Sequence, residues 1–240
     1  MNMNQFVLAF PIPVAVDEVF AVTENVKIAA DTKTVMIPGC SVMFNVVRQP
    51  ASSEVLDLFK ENCELTDDEE KSIAAHKSLL FLLGNVKSMN DVEMVNTAIL
   101  KMFTAGASGV YMQHSGAVWT ADGFRDSLGD GEFPMDTWFN LINLEDETEK
   151  SLYSVGLATF ALPDLCFSTK ADSSTAALDP EGVISMVAHS LFDGEVPAKS
   201  GSVLDFGDGG KYTLRQELKG LFSKTSPDYN KQGLLRIVKK

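Results

Sequence analysis

The sequence predicts an α+β fold: a single domain with a mixed, largely antiparallel sheet, helices packed on it, and ferredoxin-like β-α-β elements in the first half. Three observations carry this. Short apolar runs bounded by Pro, Gly and Asn recur along the chain, as strands require. Between them lie segments whose apolar residues recur at helical spacing behind Ser, Thr or Asp caps. One run, Ser78–Leu83, is apolar on both alternating faces, the pattern of a central strand covered on both sides.

Phe6–Phe10 reads as the first strand, bounded by Pro11. Behind Asp17 and Glu18, which suit a helix N-terminus, Val16, Val19 and Phe20 recur at helical spacing. Thr34–Ile37 and Ser41–Val47 are strands joined by the Pro38-Gly39 turn, hence a hairpin. Ser52 or Ser53 caps a helix with Val55, Leu56, Phe59 and Cys63 on one face. Thr66 with Glu69 has capping-box spacing and opens a short acidic helix ending near His76. Asn90 with Glu93 repeats that spacing before the stripe Val92, Val95, Ile99, Met102 and Phe103, and Gly106 stands at the C′ position. Gly109–Gln113 and Ala117–Thr120 are paired strands, so residues 78–113 form the clearest β-α-β-like unit.

The second half is richer in strands. Trp138–Leu144 and Ser151–Leu157 flank the acidic loop Glu145–Glu149. Asp179-Pro180-Glu181 combines a cap, an N1 proline and a first-turn acid, and starts a helix closed by Gly194. Val203–Phe206 and Tyr212–Leu218 bracket a glycine-rich turn, and Gly233–Lys240 is a basic, strand-like end. No internal repeat or low-complexity linker interrupts the chain, so residues 1–218 read as one domain and 219–240 as a basic C-terminal extension.

Composition narrows function. Hydrophobic residues make up 45% of the 240 and charged residues 22%, which excludes disorder, collagen and coiled coil as whole-chain descriptions. Against 33 Asp and Glu stand 20 Lys and Arg, a net charge of −13. A body that acidic repels phosphate backbones, so no nucleic-acid partner is expected. The first twenty residues lack the basic start of a signal peptide, and runs such as Leu79–Leu83 are far short of a membrane span of roughly 20 residues. Cys40, Cys63 and Cys166 are odd in number and widely spaced, neither a disulfide framework nor a zinc site. A cytoplasmic protein with reduced thiols, no membrane partner, no metal and no cofactor is expected.

Few residues could carry chemistry. His76 closes an acidic helix beside the central strand, and His114 precedes Ser115-Gly116 at a turn. Together His76, His114 and Ser115 are the catalytic candidates, although Gln113-His114-Ser115-Gly116 lacks the first glycine of a nucleophile elbow. His189 falls opposite Ile184 on its helix, as a solvated residue would. Asp205-Phe206-Gly207 has the letters of a kinase motif with none of its companions, and no phosphate-binding glycine loop is present. Tyr111, Trp119 and Trp138 are the aromatic candidates for a ligand groove. Asp67, Asp68, Glu69 and Glu70, with Glu145, Asp146, Glu147 and Glu149, are the acidic candidates for a basic partner.

The succession Ala75-His76-Lys77-Ser78-Leu79-Leu80, Gly109-Val110-Tyr111-Met112, Pro134–Trp138, Leu152–Phe160 and Lys199-Ser200-Gly201 resembles a bacterial family described only as domain of unknown function 4261. It spans most of residues 1–217 in order, and departs at Ala161 and Cys166, where the pattern has glycine and an acidic residue. The resemblance implies a cytoplasmic bacterial α+β domain and supplies no catalytic residues. Relatives of this kind are similar to proteins found beside contact-dependent toxin systems, where acidic immunity proteins occur. The expected function is therefore a non-enzymatic protein–protein interaction domain, immunity-like, with an acidic surface for a basic protein partner. The rival expectations are a small-ligand-binding or hydrolase-like protein with a pocket near His76 and His114, and a homo-oligomeric structural module.

Overall fold

A computed structural model describes residues 5–129, 134–145, 147, 149–170, 179–218, 220–226 and 229–240 of the chain. The fold is α+β with mostly antiparallel strands, as the sequence predicts. The chain forms two compact units, residues 1–137 and 138–240. Where the sequence pointed to one sheet, the strands form two six-stranded sheets and a two-stranded ribbon. No linker composition marks the boundary, because it falls inside a single 3-10 turn, Asp136–Trp138.

The first unit begins with β1 (Phe6–Ile12), every residue of which is buried. The ribbon of β2 (Phe20–Ala21) and β3 (Lys27–Ile28) follows, then the hairpin of β4 (Thr34–Val35) and β5 (Phe44–Pro50). Helices α1 (Glu54–Asn62) and α2 (Asp67–Ala74) lead to β6 (Ser78–Gly84). Helix α3 (Met89–Thr104), β7 (Gly109–Met112), β8 (Ala117–Thr120) and α4 (Ala121–Leu128) complete it. The order is β4-β5-β6-β1-β7-β8, and each neighbouring pair is antiparallel. Since β6 and β7 both run against β1, they are parallel to each other with β1 between them. With α3 as the crossover this is the split β-α-β arrangement of ferredoxin-like folds.

Alternation along β1 assigns the two faces. Phe6, Leu8, Phe10 and Ile12 point to the helix-covered face and are almost wholly buried. There the Phe10 ring meets Phe103 of α3 edge-on at 6.5 Å, and Phe103 meets Phe124 of α4 at 5.8 Å. The other face carries Ala9 and Pro11, with Leu79 and Phe81 of β6 and Tyr111 of β7. Phe59 of α1 and Ile73 of α2 pack on this side, against Val118 of β8.

Several local expectations change. Asp17 and Glu18 do not open a helix. Glu18 instead folds its carboxylate back onto the Ala15 N–H at 2.8 Å, and Arg48 donates to the Ala15 carbonyl at 2.7 Å, so the segment is a pinned turn. The first strand runs through Pro11, whose carbonyl still accepts from Ser108 N–H at 3.0 Å. The cap of α3 is Ser88, two residues before Asn90, because the Ser88 hydroxyl accepts the Asp91 N–H at 3.2 Å and the Asp91 carboxylate accepts the Lys87 N–H at 2.9 Å. Helix α4 had no apolar stripe long enough to announce it; the Thr120 cap, accepting the Gly123 N–H at 3.2 Å, starts it.

The second unit contains β9 (Asn140–Glu145), β10 (Glu149–Val155), β11 (Asp164–Lys170) and α5 (Pro180–Phe192), then β12 (Val203–Asp205), β13 (Lys211–Glu217) and β14 (Leu234–Lys239). Its sheet order is β12-β13-β14-β11-β10-β9, and only β11 and β14 are parallel. Segment 219–240, basic by sequence, thus supplies β14, an interior strand inserted between β13 and β11. Apolar Leu234, Leu235 and Ile237 explain the insertion, all buried at 9% exposure or less. Arg236 reaches Glu217 at 2.7 Å and Glu149 at 3.1 Å, so its charge is met within its own sheet. Strand β11 escapes a periodicity reading because its apolar run, Leu165–Phe167, is only three residues long.

Candidate functional site

A concavity of the first unit lies where α1 stops short of covering the sheet. Phe59 anchors the helix: it is fully buried, and a Cβ on Gly109 would lie 2.3 Å from its ring. Only glycine at 109 lets the ring rest on the β7 backbone. Burying Phe59 is worth about 2–3 kcal/mol. Val55, Leu56 and Leu58 pack around the same cluster and remain partly exposed, since the rest of the sheet face extends beyond the helix.

That uncovered face is the floor of a cleft of about 540 Å³. Ala9, Pro11, Leu79, Phe81 and Tyr111 form the floor, and Val55, Leu58 and Phe59 form the helix wall. Glu54, Asp57 and Glu61 form the rim, with Gln49, Ser52 and Gln113 at the mouth. Among the described residues three carboxylates and no basic side chain line the cleft. Their spacing, i, i+3 and i+7, sets them in one row along α1. An apolar floor under an acidic edge suits a ligand with an apolar body and positive charge.

Tyr111 is in this cleft, where it lines the floor. The other aromatic candidates are elsewhere. Trp119 donates its Nε1–H to the Thr137 carbonyl at 2.9 Å and meets Phe124 edge-on at 6.3 Å. Trp138 is fully buried in the second unit, 5.8 Å from the Phe160 ring.

The catalytic candidates do not converge. Lys77, next to His76, bonds to the Ile12 carbonyl, whereas Gln113, next to His114, bonds to the Val7 carbonyl. Five residues of extended β1 separate these points, about 17 Å. His76 is a structural pin: Nδ1 donates to the Ile73 carbonyl at 2.7 Å and Nε2 accepts from the Ser52 N–H at 3.3 Å, joining α2 to the start of α1. Ser115 is buried in its turn, with its hydroxyl donating to the Met112 carbonyl at 3.4 Å and accepting from the Ala117 N–H at 3.3 Å. His189 is half-buried, because α5 buries residues on nearly all sides.

The acidic candidates divide by what already holds them. Glu69 closes the capping box with Thr66, whose backbone N–H holds its carboxyl below the usual range. Glu70 pairs with Lys60 of α1 at 2.5 Å, and Asp68 with Lys71 at 3.4 Å, while Asp67 is exposed in the first turn of α2. In the second unit Glu145 pairs with Lys150 at 2.9 Å and Glu149 with Arg236; Glu147 is exposed, and Asp146 lies outside the described residues. Among the described residues no group of three or more His, Cys, Asp or Glu is placed to hold a metal ion, and no helix is long and apolar enough to cross a membrane.

Two sets of residues escaped the sequence. Glu54, Asp57 and Glu61 looked like an ordinary solvated helix face; their row on the side flanking Val55 and Leu58 was the available signal. Asp164 is a single acid inside the apolar stretch Leu162-Pro163-Asp164-Leu165-Cys166-Phe167, and it is buried. No protein-family model, no curated protein and no solved structure matches this chain.

Proposed function

We propose that this chain is a non-enzymatic protein–protein interaction domain, immunity-like in kind, that receives a basic and partly apolar segment of a partner protein in the α1 cleft. The observation that carries the reading is the pairing of an apolar floor with the carboxylate row Glu54, Asp57 and Glu61. A partner segment alternating Lys or Arg with apolar residues places one set on the floor and the other on the rim. Exposed contacts of this kind are worth about 0.2–1 kcal/mol each and act mainly on association rate and specificity. Residues 54–70 hold eight carboxylates against one lysine, so the segment that forms the helix wall is strongly net negative.

Kinship with the bacterial family of unknown function 4261 and a cytoplasmic setting belong to the same proposal. All three cysteines are free thiols. Burial pushes the thiols of Cys40 and Cys63 up and that of Cys166 to about 12, leaving inert thiols that suit a reducing compartment.

A synthetic peptide of alternating Lys and Leu, titrated into 15N-labelled protein, tests the proposal. Shifts should concentrate at Val55, Phe81 and Tyr111, weaken with salt, and fall at least tenfold in apparent affinity in the triple variant E54K/D57K/E61K. Equal binding by the triple variant, or shifts confined to the 145–149 segment, would overturn it.

A further inference from the structure

The second unit has its own concavity, of about 240 Å³, unrelated to the α1 cleft. Asp164 stands on its lining at only 7% exposure, between Ser154 of β10 and Asn230. Its Oδ1 accepts the Leu157 N–H at 3.2 Å, and the Gly156 N–H and Asn230 side-chain amide also donate to the carboxyl. All three donors are neutral. The aromatic residues Tyr153, Phe222 and Tyr229 line the same space.

We infer that this pocket is a site for a small cationic amine with an apolar body, its ammonium seated on the Asp164 carboxylate and its body against the aromatic lining. The argument is one of unmet charge. Burying a carboxylate is costly unless a cation accompanies it, and among the described residues no basic side chain takes that role. Arg236 is engaged by Glu217 and Glu149, and Lys224 is exposed on the lining. The other titratable groups on the lining are Glu217, held by Arg236, and the phenols of Tyr153 and Tyr229. The desolvated carboxyl therefore keeps its proton to about pH 7. An arriving ammonium supplies the missing charge, so uptake expels the proton from Asp164 to solvent, and nothing else changes covalently.

Benzylamine is the probe, with benzyl alcohol as its neutral counterpart, measured by calorimetry on the full chain at pH 6, 7 and 8. Benzylamine should bind about fivefold more tightly at pH 7 than at pH 6 and about twofold more tightly again at pH 8, the curve of one released proton with its midpoint near pH 7. Repetition at pH 6 in buffers of different ionisation enthalpy should show close to one proton released. Asp164→Asn should weaken binding at least tenfold; its fold is checked by the Trp138 emission in a Trp119→Phe background. If that variant does not fold, proton release by the unaltered chain decides. Absence of benzylamine binding at 10 mM (roughly the upper end of useful weak affinity), binding without proton release, or equal binding of benzyl alcohol would each overturn the inference.

Discussion

Replacing Asp164 by Asn should remove a pH dependence that dominates the stability of the second unit near neutrality. Desolvation raises the Asp164 carboxyl from 3.8 to about 7, against the partial opposition of the Asn230, Leu157 and Gly156 hydrogen bonds. In the unfolded chain the group ionises near pH 4. Between pH 4 and pH 7 the folded chain therefore holds a proton that the unfolded chain has released. Stability from this group is greatest below pH 4, falls as pH rises through 7, and is flat above. At about 1.4 kcal/mol per pH unit, the native chain should lose about 2.5 kcal/mol relative to the Asn variant between pH 5 and pH 8. The assay is urea unfolding of both chains in a Trp119→Phe background, which leaves Trp138 as the sole indole and a reporter of the second unit. Parallel stability profiles across that range would refute the reasoning.

Three further substitutions probe the frame around the sites. Gly109→Ala should cost about 1–3 kcal/mol by driving a Cβ into the Phe59 ring, and should perturb the amides of Val55 and Leu58 more than those of α3 in 15N spectra. Arg48→Met should cost a similar amount, about 1–3 kcal/mol, because the guanidinium ties the Ala15 carbonyl and the Ser78 hydroxyl at 2.7 and 2.9 Å. Hydrogen exchange at Glu18 should speed up with it. Ala161→Gly should raise stability by about 0.5–1 kcal/mol, since Ala161 is the one described non-glycine residue with positive φ, at 59°; unchanged or lower thermal stability would contradict it.

Elements closed by their own neighbours were readable from sequence. Thr66 and Glu69 exchange both capping-box bonds, Asp179 accepts the Glu181 N–H at 3.1 Å behind Pro180, and Pro38-Gly39 turns with Gly39 at φ 81°. Each signal is complete within five residues. What stayed hidden depends on partners far along the chain. The β14 run was legible as a strand, yet nothing local says that it enters between β13 and β11. The His76 nitrogens are used by Ile73 and by Ser52, a residue 24 positions away, so a histidine at a strand edge looked available when its ring was already engaged. The α1 cleft was equally hidden. Periodicity marks which face of β1 and β6 is apolar, but only the packing shows how much of it a nine-residue helix leaves uncovered.

The net charge of −13 gains meaning once it is divided among the elements. Residues 1–137 hold 19 acidic against 9 basic side chains, and residues 138–240 hold 14 against 11. In the second unit Lys150, Lys211 and Arg236 are each matched to a carboxylate of the same sheet, Glu145, Asp205 and the Glu149–Glu217 pair. Screening confines an exposed charge to about 8 Å at physiological salt, so a partner senses local rows and not the total. The excess within reach of the cleft comes from residues 54–70. The cluster Asp67 to Glu70 lines none of that cleft; among the described residues the carboxylates on its lining are Glu54, Asp57 and Glu61. The salt dependence of any complex should follow Glu54, Asp57 and Glu61 and ignore neutralisation of residues 145–149.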